Sequence, residues 1–294
     1  MAAAIIDGLH VAQRMETEVR QQVREFAARG SHLKLAAVLV GGSPASLVYA
    51  RSQARQCEQT GIAYELVRLP AEADAPAIAG EIERLNQDPA TTGIMLHMPL
   101  PSGIDAPSLQ YCIDPYKDVE GVNPANIGLV FYGTPIIAPC TALAVVELVK
   151  ETRMDLRGAH AVVVGQGAIV GRPVSVFLIQ REATVTACHE ATRDLAECTR
   201  RADLLVVAVG KPGLITAEHV KPGAVVIDVG INRVKTVGPD GQMVSQTVGD
   251  VDFNSVRDVA GAITPVPGGV GPVTVTMLLR NTVEAARKQQ ARGK

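Results

Sequence analysis

Two periodicities alternate along this chain. Val11, Met15, Val19, Val23 and Phe26 recur at helical spacing and predict a helix over Val11–Ala28, closed by Gly30. Leu35–Val40 is a continuous apolar run, the pattern of a buried strand, and the turn formers of GGSPAS (Gly41–Ser46) predict a loop after it. The same reading predicts a helix from about Ala45 to Thr60 ended by Gly61, and a strand over Tyr64–Leu69. A helix over Ala75–Asn86 and a strand over Gly93–Met98, stopped by Pro99 and Pro101, follow. The opening residues Ala4–Asp7 predict a short edge strand. Strands alternating with helices predict a parallel α/β layer.

Periodicity then fades. Asp114–Pro139 is rich in Pro, Gly and Asn and predicts an irregular connection between domains, long enough to carry function. A helix over Thr141–Thr152 leads into a second alternation. Its members are strand Ala161–Val164, helix Arg172–Arg181, strand Thr184–Cys188, helix Arg193–Arg200, and strands Leu204–Val209 and Val225–Val229. That order is a doubly wound, Rossmann-type α/β fold. Gly261–Pro272 predicts a Gly/Pro loop, and Thr274–Lys288 a final helix. The expected organisation is two domains: residues 1–138 with the C-terminal helix (about 273–294), and residues 139–272.

Composition narrows the class. A length of 294 residues favours two domains over one. A net charge of −2 gives no reason to expect nucleic acid or an anionic membrane as partner. The five cysteines form no C-x-x-C pair and fit no metal spacing, which predicts reduced thiols and no metal site. No basic-then-apolar leader and no apolar run near the ~20 residues of a membrane span is found. The expectation is a soluble cytoplasmic protein.

The chemistry concentrates in AVVVGQGAIVGRP, Ala161–Pro173. An apolar strand, a turn at Gly165 and Gly167, and Gly171 where a helix begins make a cradle whose backbone N–H groups face an anion. The spacing is G-x-G-x-x-x-G, not the usual G-x-G-x-x-G. By itself the string suits an ordinary strand–turn–helix nearly as well, and the flanking segments decide the matter.

Those segments are VVVGQGAIVG with Arg172 and Pro173, VIDVGINRV (Val226–Val234) and ITPVPGGVGPVTV (Ile263–Val275), together with YARSQARQCEQTGI, GIMLHMPLP and YKDVEGVNPANIG. In order, and over nearly the whole chain, they resemble the methylenetetrahydrofolate dehydrogenase/methenyltetrahydrofolate cyclohydrolase (FolD) family. The resemblance implies oxidation of 5,10-methylenetetrahydrofolate by a nicotinamide cofactor, then hydrolysis to 10-formyltetrahydrofolate. It also implies a homodimer, with folate bound between the two domains.

Several residues depart from the family pattern. Tyr49 matches the tyrosine that stacks on the folate ring, and a flat face with a polar tip suits that role. One helical turn later, where the family places its proton-handling lysine, stands Gln53, which has no titratable group. Hydride removal needs placement more than a base, so the expectation is hydride transfer with hydrolysis lost or weak. His97 stands where the family has glutamine. It is read first as a structural hydrogen-bonder and second as a compensating proton carrier. Glu120 replaces an aspartate that faces the pterin, and Asp118 reads as structural. The catalytic set is thus Tyr49, Gln53, His97 and Glu120, with Met98, Pro99, Pro267, Gly268, Gly269 and Val270 as further folate contacts.

For the cofactor, the family's turn carries an arginine for the 2′-phosphate of NADP, where this chain has Gln166. After the second strand the chain reads His189, Glu190, Ala191, Thr192, where the family has a serine and a cation. A carboxylate there suits a free ribose hydroxyl and repels a phosphate. The alternatives are that Glu190 is a solvated loop acid and that Arg172 or Arg193 serves a phosphate. NAD is expected ahead of NADP, held by Gly165, Gln166, Gly167, Ile169, Val170, Gly171, His189, Glu190, Ile231 and Thr264. Two other functions stay open: a paralogue acting on a non-folate cyclic imine or modified pterin, and an inactive folate or nucleotide binder.

Overall fold

A computed structural model describes residues 2–42, 44–237 and 242–292. The chain divides into two compact units, Met1–Ala12 with Thr141–Thr274, and Gln13–Cys140 with Val275–Lys294. In chain order the elements are β1 (Ala4–Ile5), α1 (Gly8–Ala28), β2 (Lys34–Val40), α2 (Pro44–Thr60), β3 (Ala63–Leu69), α3 (Ala75–Gln87) and β4 (Gly93–Leu96). Next come α4 (Ala106–Tyr111), α5 (Pro124–Phe131), α6 (Cys140–Glu151), β5 (His160–Val164), α7 (Gly171–Ile179), β6 (Thr184–Cys188) and α8 (Leu195–Thr199). The last are β7 (Leu204–Val207), β8 (Val225–Asp228), β9 (Asn232–Val237), β10 (Met243–Val248), α9 (Phe253–Val256), β11 (Ala262–Ile263) and α10 (Val270–Arg292). In the expected loop Gly41–Ser46, Ser43 lies outside the described residues, and Pro44–Ser46 already belong to α2.

In the unit built on Gln13–Cys140, three parallel strands lie in the order β3-β2-β4. The central β2 is apolar because both its faces are covered, and Leu35 to Val38 are fully buried. Helix α3 starts where Asp74 accepts from the Ala77 N–H at 3.0 Å, and its apolar stripe, Ile78, Ile82 and Leu85, packs on Val38, Ile94 and Leu96. Strand β4 ends at Leu96, before the cis Met98–Pro99 peptide, two residues short of the expected limit.

The segment Asp114–Pro139 corrects the expectation of an inter-domain connection. It is a folded part of this unit and contains α5. Buried Asp118 accepts from the N–H groups of Gly121 (3.0 Å) and Asn123 (2.8 Å) and from Asn126 Nδ2 (2.9 Å). Asn123 in turn accepts from the Ala125 N–H at the start of α5. Asn281 of α10 donates to the carbonyls of Val119 and Ala138, each at 2.9 Å. Most of these ties run from side chain to backbone and leave no apolar period to read.

In the other unit six parallel strands lie in the order β1-β11-β8-β7-β5-β6. The chain winds outward from β5 to β6, returns to β7 on the other side of β5, and so places its switch point at β5. Residues 1–12, expected in the first domain, belong here because β1 pairs with β11. The antiparallel hairpin β9–β10, paired from Asn232↔Val248 to Val237↔Met243, is absent from the periodicity reading. The expected loop Gly261–Pro272 also holds β11 and the first turn of α10.

Candidate functional site

Tyr49 and Gln53 lie one turn apart on α2, as their spacing requires. The Gln53 side chain is buried, at 1% exposure. Its amide is held at both ends: Nε2 donates to Met95 Sδ at 3.0 Å, and Oε1 accepts from the Tyr64 hydroxyl at 3.0 Å. That hydroxyl also lies 3.4 Å from His97 Nε2. The His97 ring meets Tyr49 edge to face, with centroids 5.8 Å apart and planes at 88°. Met95, Gln53, Tyr64 and His97 therefore form one continuous hydrogen-bonded row with no formal charge. Burial lowers the His97 pKa and raises that of Tyr64, so both stay neutral at physiological pH.

Glu120 joins this group from the segment after β4. Its Oε2 is enclosed and has no hydrogen-bond partner. Burial and the nearby charge of Asp118 push the carboxyl up to about 7, against one opposing hydrogen bond from the Leu96 backbone. Glu120 in turn raises the Tyr49 phenol, second to burial. Asp118 is satisfied by its donors and is structural. Met98 is half-exposed and follows His97 in the chain, and Pro99 is cis. An enclosed acceptor atom without a donor is costly, and it makes Glu120 the unsatisfied group of this cluster.

The glycine turn sits at the C-terminal end of β5. A Cβ on Gly165 would strike the Ala208 carbonyl oxygen, and one on Gly171 the Gly165 carbonyl oxygen, so the chain itself demands both glycines. A Cβ on Gly167 would meet nothing within 4 Å. The fold does not require that glycine, and the open space beside it is what a ligand approaching the backbone needs. Gln166 folds back and donates to the Val163 carbonyl at 3.0 Å, so it does not project a donor outward. Ile169 and Val170 complete the turn before α7, whose first residue follows Val170 without a side-chain cap. The turn thus fits a dinucleotide phosphate.

Beyond β6, a tight turn presents Glu190 to solvent. His189 N–H donates to Thr192 Oγ1 (2.9 Å), Thr192 N–H to the His189 carbonyl (2.9 Å), and Ala191 N–H to His189 Nδ1 (3.1 Å). His189 thus commits its backbone and Nδ1 to the turn. Arg172 and Arg193 are also exposed.

In the same unit a cavity of about 310 Å³ gathers Ile231, Pro267, Gly268, Gly269 and Val270 with Leu9 and Thr247. Ile231 is 67% exposed, an apolar side chain left for a ligand or partner to cover. Thr264 does not line the cavity; its hydroxyl accepts from the Asp228 N–H at 2.8 Å. Asp228 takes the N–H groups of Gly230, Asp250 and Val251. Burial and Asp250 still push its carboxyl up to about 6. Asp250 accepts from Val209, Gly210 and Asn232. Asp228 lines the cavity, and the Asp250 N–H that it accepts ties it to the segment behind.

No spacing in the sequence marks Tyr64, Met95, Leu9, Thr247, Asp228 or Asp250 as a site residue. Tyr64 and Met95 sit on strands whose pattern reads only as core, and only their cross-strand neighbours reveal them.

Residues 6–120 match the catalytic domain of the tetrahydrofolate dehydrogenase/cyclohydrolase family, and residues 139–290 its NAD(P)-binding domain. A protein of Bordetella petrii named "Bifunctional protein FolD" is 49% identical over 97% of this chain and 95% of its own. The FolD methylenetetrahydrofolate dehydrogenase/cyclohydrolase of Campylobacter jejuni has a crystal structure with TM-score 0.90 at 39% identity, covering 98% of this chain and 100% of that one. The Trypanosoma brucei FolD enzyme, crystallised with NADP and an inhibitor, has TM-score 0.91 at 38% identity, covering 99% of each chain.

Proposed function

Because the chain belongs to the tetrahydrofolate dehydrogenase/cyclohydrolase family, we propose that it oxidises 5,10-methylenetetrahydrofolate to the methenyl form with NAD in preference to NADP, and that its hydrolysis of the methenyl product is weak. The observation that carries this reading is the fixed, neutral amide of Gln53. Hydrolysis must activate water and deliver a proton, and the position that the family pattern gives to a lysine here holds a group that does neither. Relatives are named bifunctional, so the claim concerns this chain's own residue.

A bound nicotinamide dinucleotide supplies the hydride acceptor. Gly165, Gly167 and Gly171 let the backbone cradle its phosphates, and Ile231 with the Pro267–Val270 loop packs beside it. Tyr49 offers its ring to the pterin, and Glu120 carries the buried carboxyl of the same cluster. The row from Met95 to His97 holds the folate side of the site rigid without a charge. Glu190 supports NAD: a carboxylate bonds a ribose hydroxyl and repels a 2′-phosphate, and Gln166 offers no counter-charge. The reading includes the homodimer and the cytoplasmic setting that the family implies. No helix among the described residues is long and apolar enough to cross a membrane.

Initial rates with saturating methylenetetrahydrofolate and each cofactor test the reading. NAD should give the higher kcat/KM. A tenfold or greater preference for NADP, about 1.4 kcal/mol, would overturn the cofactor assignment, and no oxidation with either cofactor would overturn the substrate.

A further inference from the structure

We propose that Tyr64 is a positioning residue that fixes the tautomer of His97, placing the ring proton on Nε2 and presenting a bare Nδ1 as a hydrogen-bond acceptor for an N–H group of the bound pterin. The proposal takes its ligand from the folate reading; the tautomer assignment stands independently of it.

The direction of the row follows from donor and acceptor chemistry. Met95 Sδ carries no hydrogen and can only accept, so the Gln53 atom 3.0 Å from it is the amide nitrogen. The opposite orientation would set the amide oxygen against the thioether, lone pair to lone pair. Gln53 Oε1 therefore faces the Tyr64 hydroxyl, and at 3.0 Å the hydroxyl proton must be donated to it. That hydroxyl has one proton. With it committed to Gln53, the Tyr64 oxygen can meet His97 Nε2 only as an acceptor, so Nε2 carries the ring proton. The ring is neutral, since burial holds it below the usual histidine range. Nδ1 is then unprotonated.

Nδ1 is also free to act. Among the described residues it has no hydrogen-bond partner, and the one enclosed side-chain nitrogen or oxygen left unpartnered is Glu120 Oε2. Nδ1 is therefore not an enclosed, unpartnered atom, and His97 as a whole is 4% exposed. The backbone fixes the ring as well: the His97 N–H donates to the Val38 carbonyl at 2.8 Å, and Tyr49 meets the ring edge to face. A reduced pterin presents several N–H donors, and a bare imidazole nitrogen takes one. Removing the Tyr64 hydroxyl would strand Nε2–H without an acceptor, and the proton would move to Nδ1, where water can take its hydrogen bond.

Nitrogen-15 NMR of the full-length protein labelled at histidine tests this, with His97→Gln used only to assign the signal. At pH 7.5 the wild type should show protonated Nε2 and unprotonated Nδ1, and tetrahydrofolate should shift Nδ1 most. Tyr64→Phe should move the population toward protonated Nδ1. Its KM for methylenetetrahydrofolate should rise about tenfold, the size of one well-placed hydrogen bond, with kcat nearly unchanged. A wild-type ring protonated at Nδ1, or the same tautomer ratio in wild type and Tyr64→Phe, overturns the proposal. An Nδ1 signal indifferent to tetrahydrofolate overturns its ligand. Failure of the dehydrogenase reading would show separately, as absent oxidation beside an intact tautomer result.

Discussion

Gln53 and Glu120 set the character of the folate-side cluster, one by lacking charge and one by holding it at a cost. Gln53→Lys would bring an ammonium into a space where the amide is satisfied by Met95 and Tyr64. Methenyl hydrolysis should rise at least tenfold, while stability in urea falls by roughly 1–3 kcal/mol, because a buried charge replaces a bonded neutral group. Unchanged hydrolysis in a folded variant would count against the role given to position 53. Glu120 has the opposite problem. Its folded value of about 7 exceeds the ordinary 4.5, so the folded chain binds more protons than the unfolded one between those values. Stability from this group is therefore lost as pH rises from about 4.5 to 7, and Asp228, about 6 against 3.8, acts in the same direction slightly lower. Glu120→Gln should stabilise the protein at pH 8 by roughly 1–3 kcal/mol and leave it unchanged near pH 4. Thermal melts of both proteins across that range check it, and an equal shift at both ends would refute the burial account.

At the scale of elements, the turn between β5 and α7 separates what the chain needs from what a ligand needs. Gly171→Ala would drive a Cβ into the Gly165 carbonyl oxygen, which is backbone and cannot swing aside. It should cost about 2 kcal/mol or more. Gly167→Ala has open space and should leave the unfolding midpoint where it is, yet weaken dinucleotide binding severalfold in a fluorescence titration with NADH. Equal losses of stability in the two variants would erase the distinction. Most helices and strands were legible because one face, or both, must be apolar: α1, α3 and β2 lie within three residues of their expected bounds. Asp118, Asn123, Asn126 and Asn281 hold the Asp114–Pro139 segment through side-chain bonds to backbone, which no hydrophobic period records. The hairpin β9–β10 escaped because its strands are largely exposed and carry no buried face.

Across the whole molecule, motif and pairing informed different parts of the site. Tyr49, Gln53, His97 and Glu120 were nameable from the sequence because each stands at a position that the family motifs define, and the first three meet in one row of contacts. Tyr64 was not, since a tyrosine on β3 looks like any strand residue until β2 and β4 bring it beside Gln53 and His97. The first strand joined the six-stranded sheet because pairing with β11, more than 250 residues later, outranks nearness in sequence. A dehydrogenase that leaves its methenyl product largely unhydrolysed can be tested in one reaction. Methylenetetrahydrofolate and NAD are mixed with the protein, and NADH and the methenyl chromophore are followed together. Methenyl formation should match NADH one for one, then decay at the rate of enzyme-free buffer. Decay that accelerates with enzyme concentration and disappears in Gln53→Ala would contradict it.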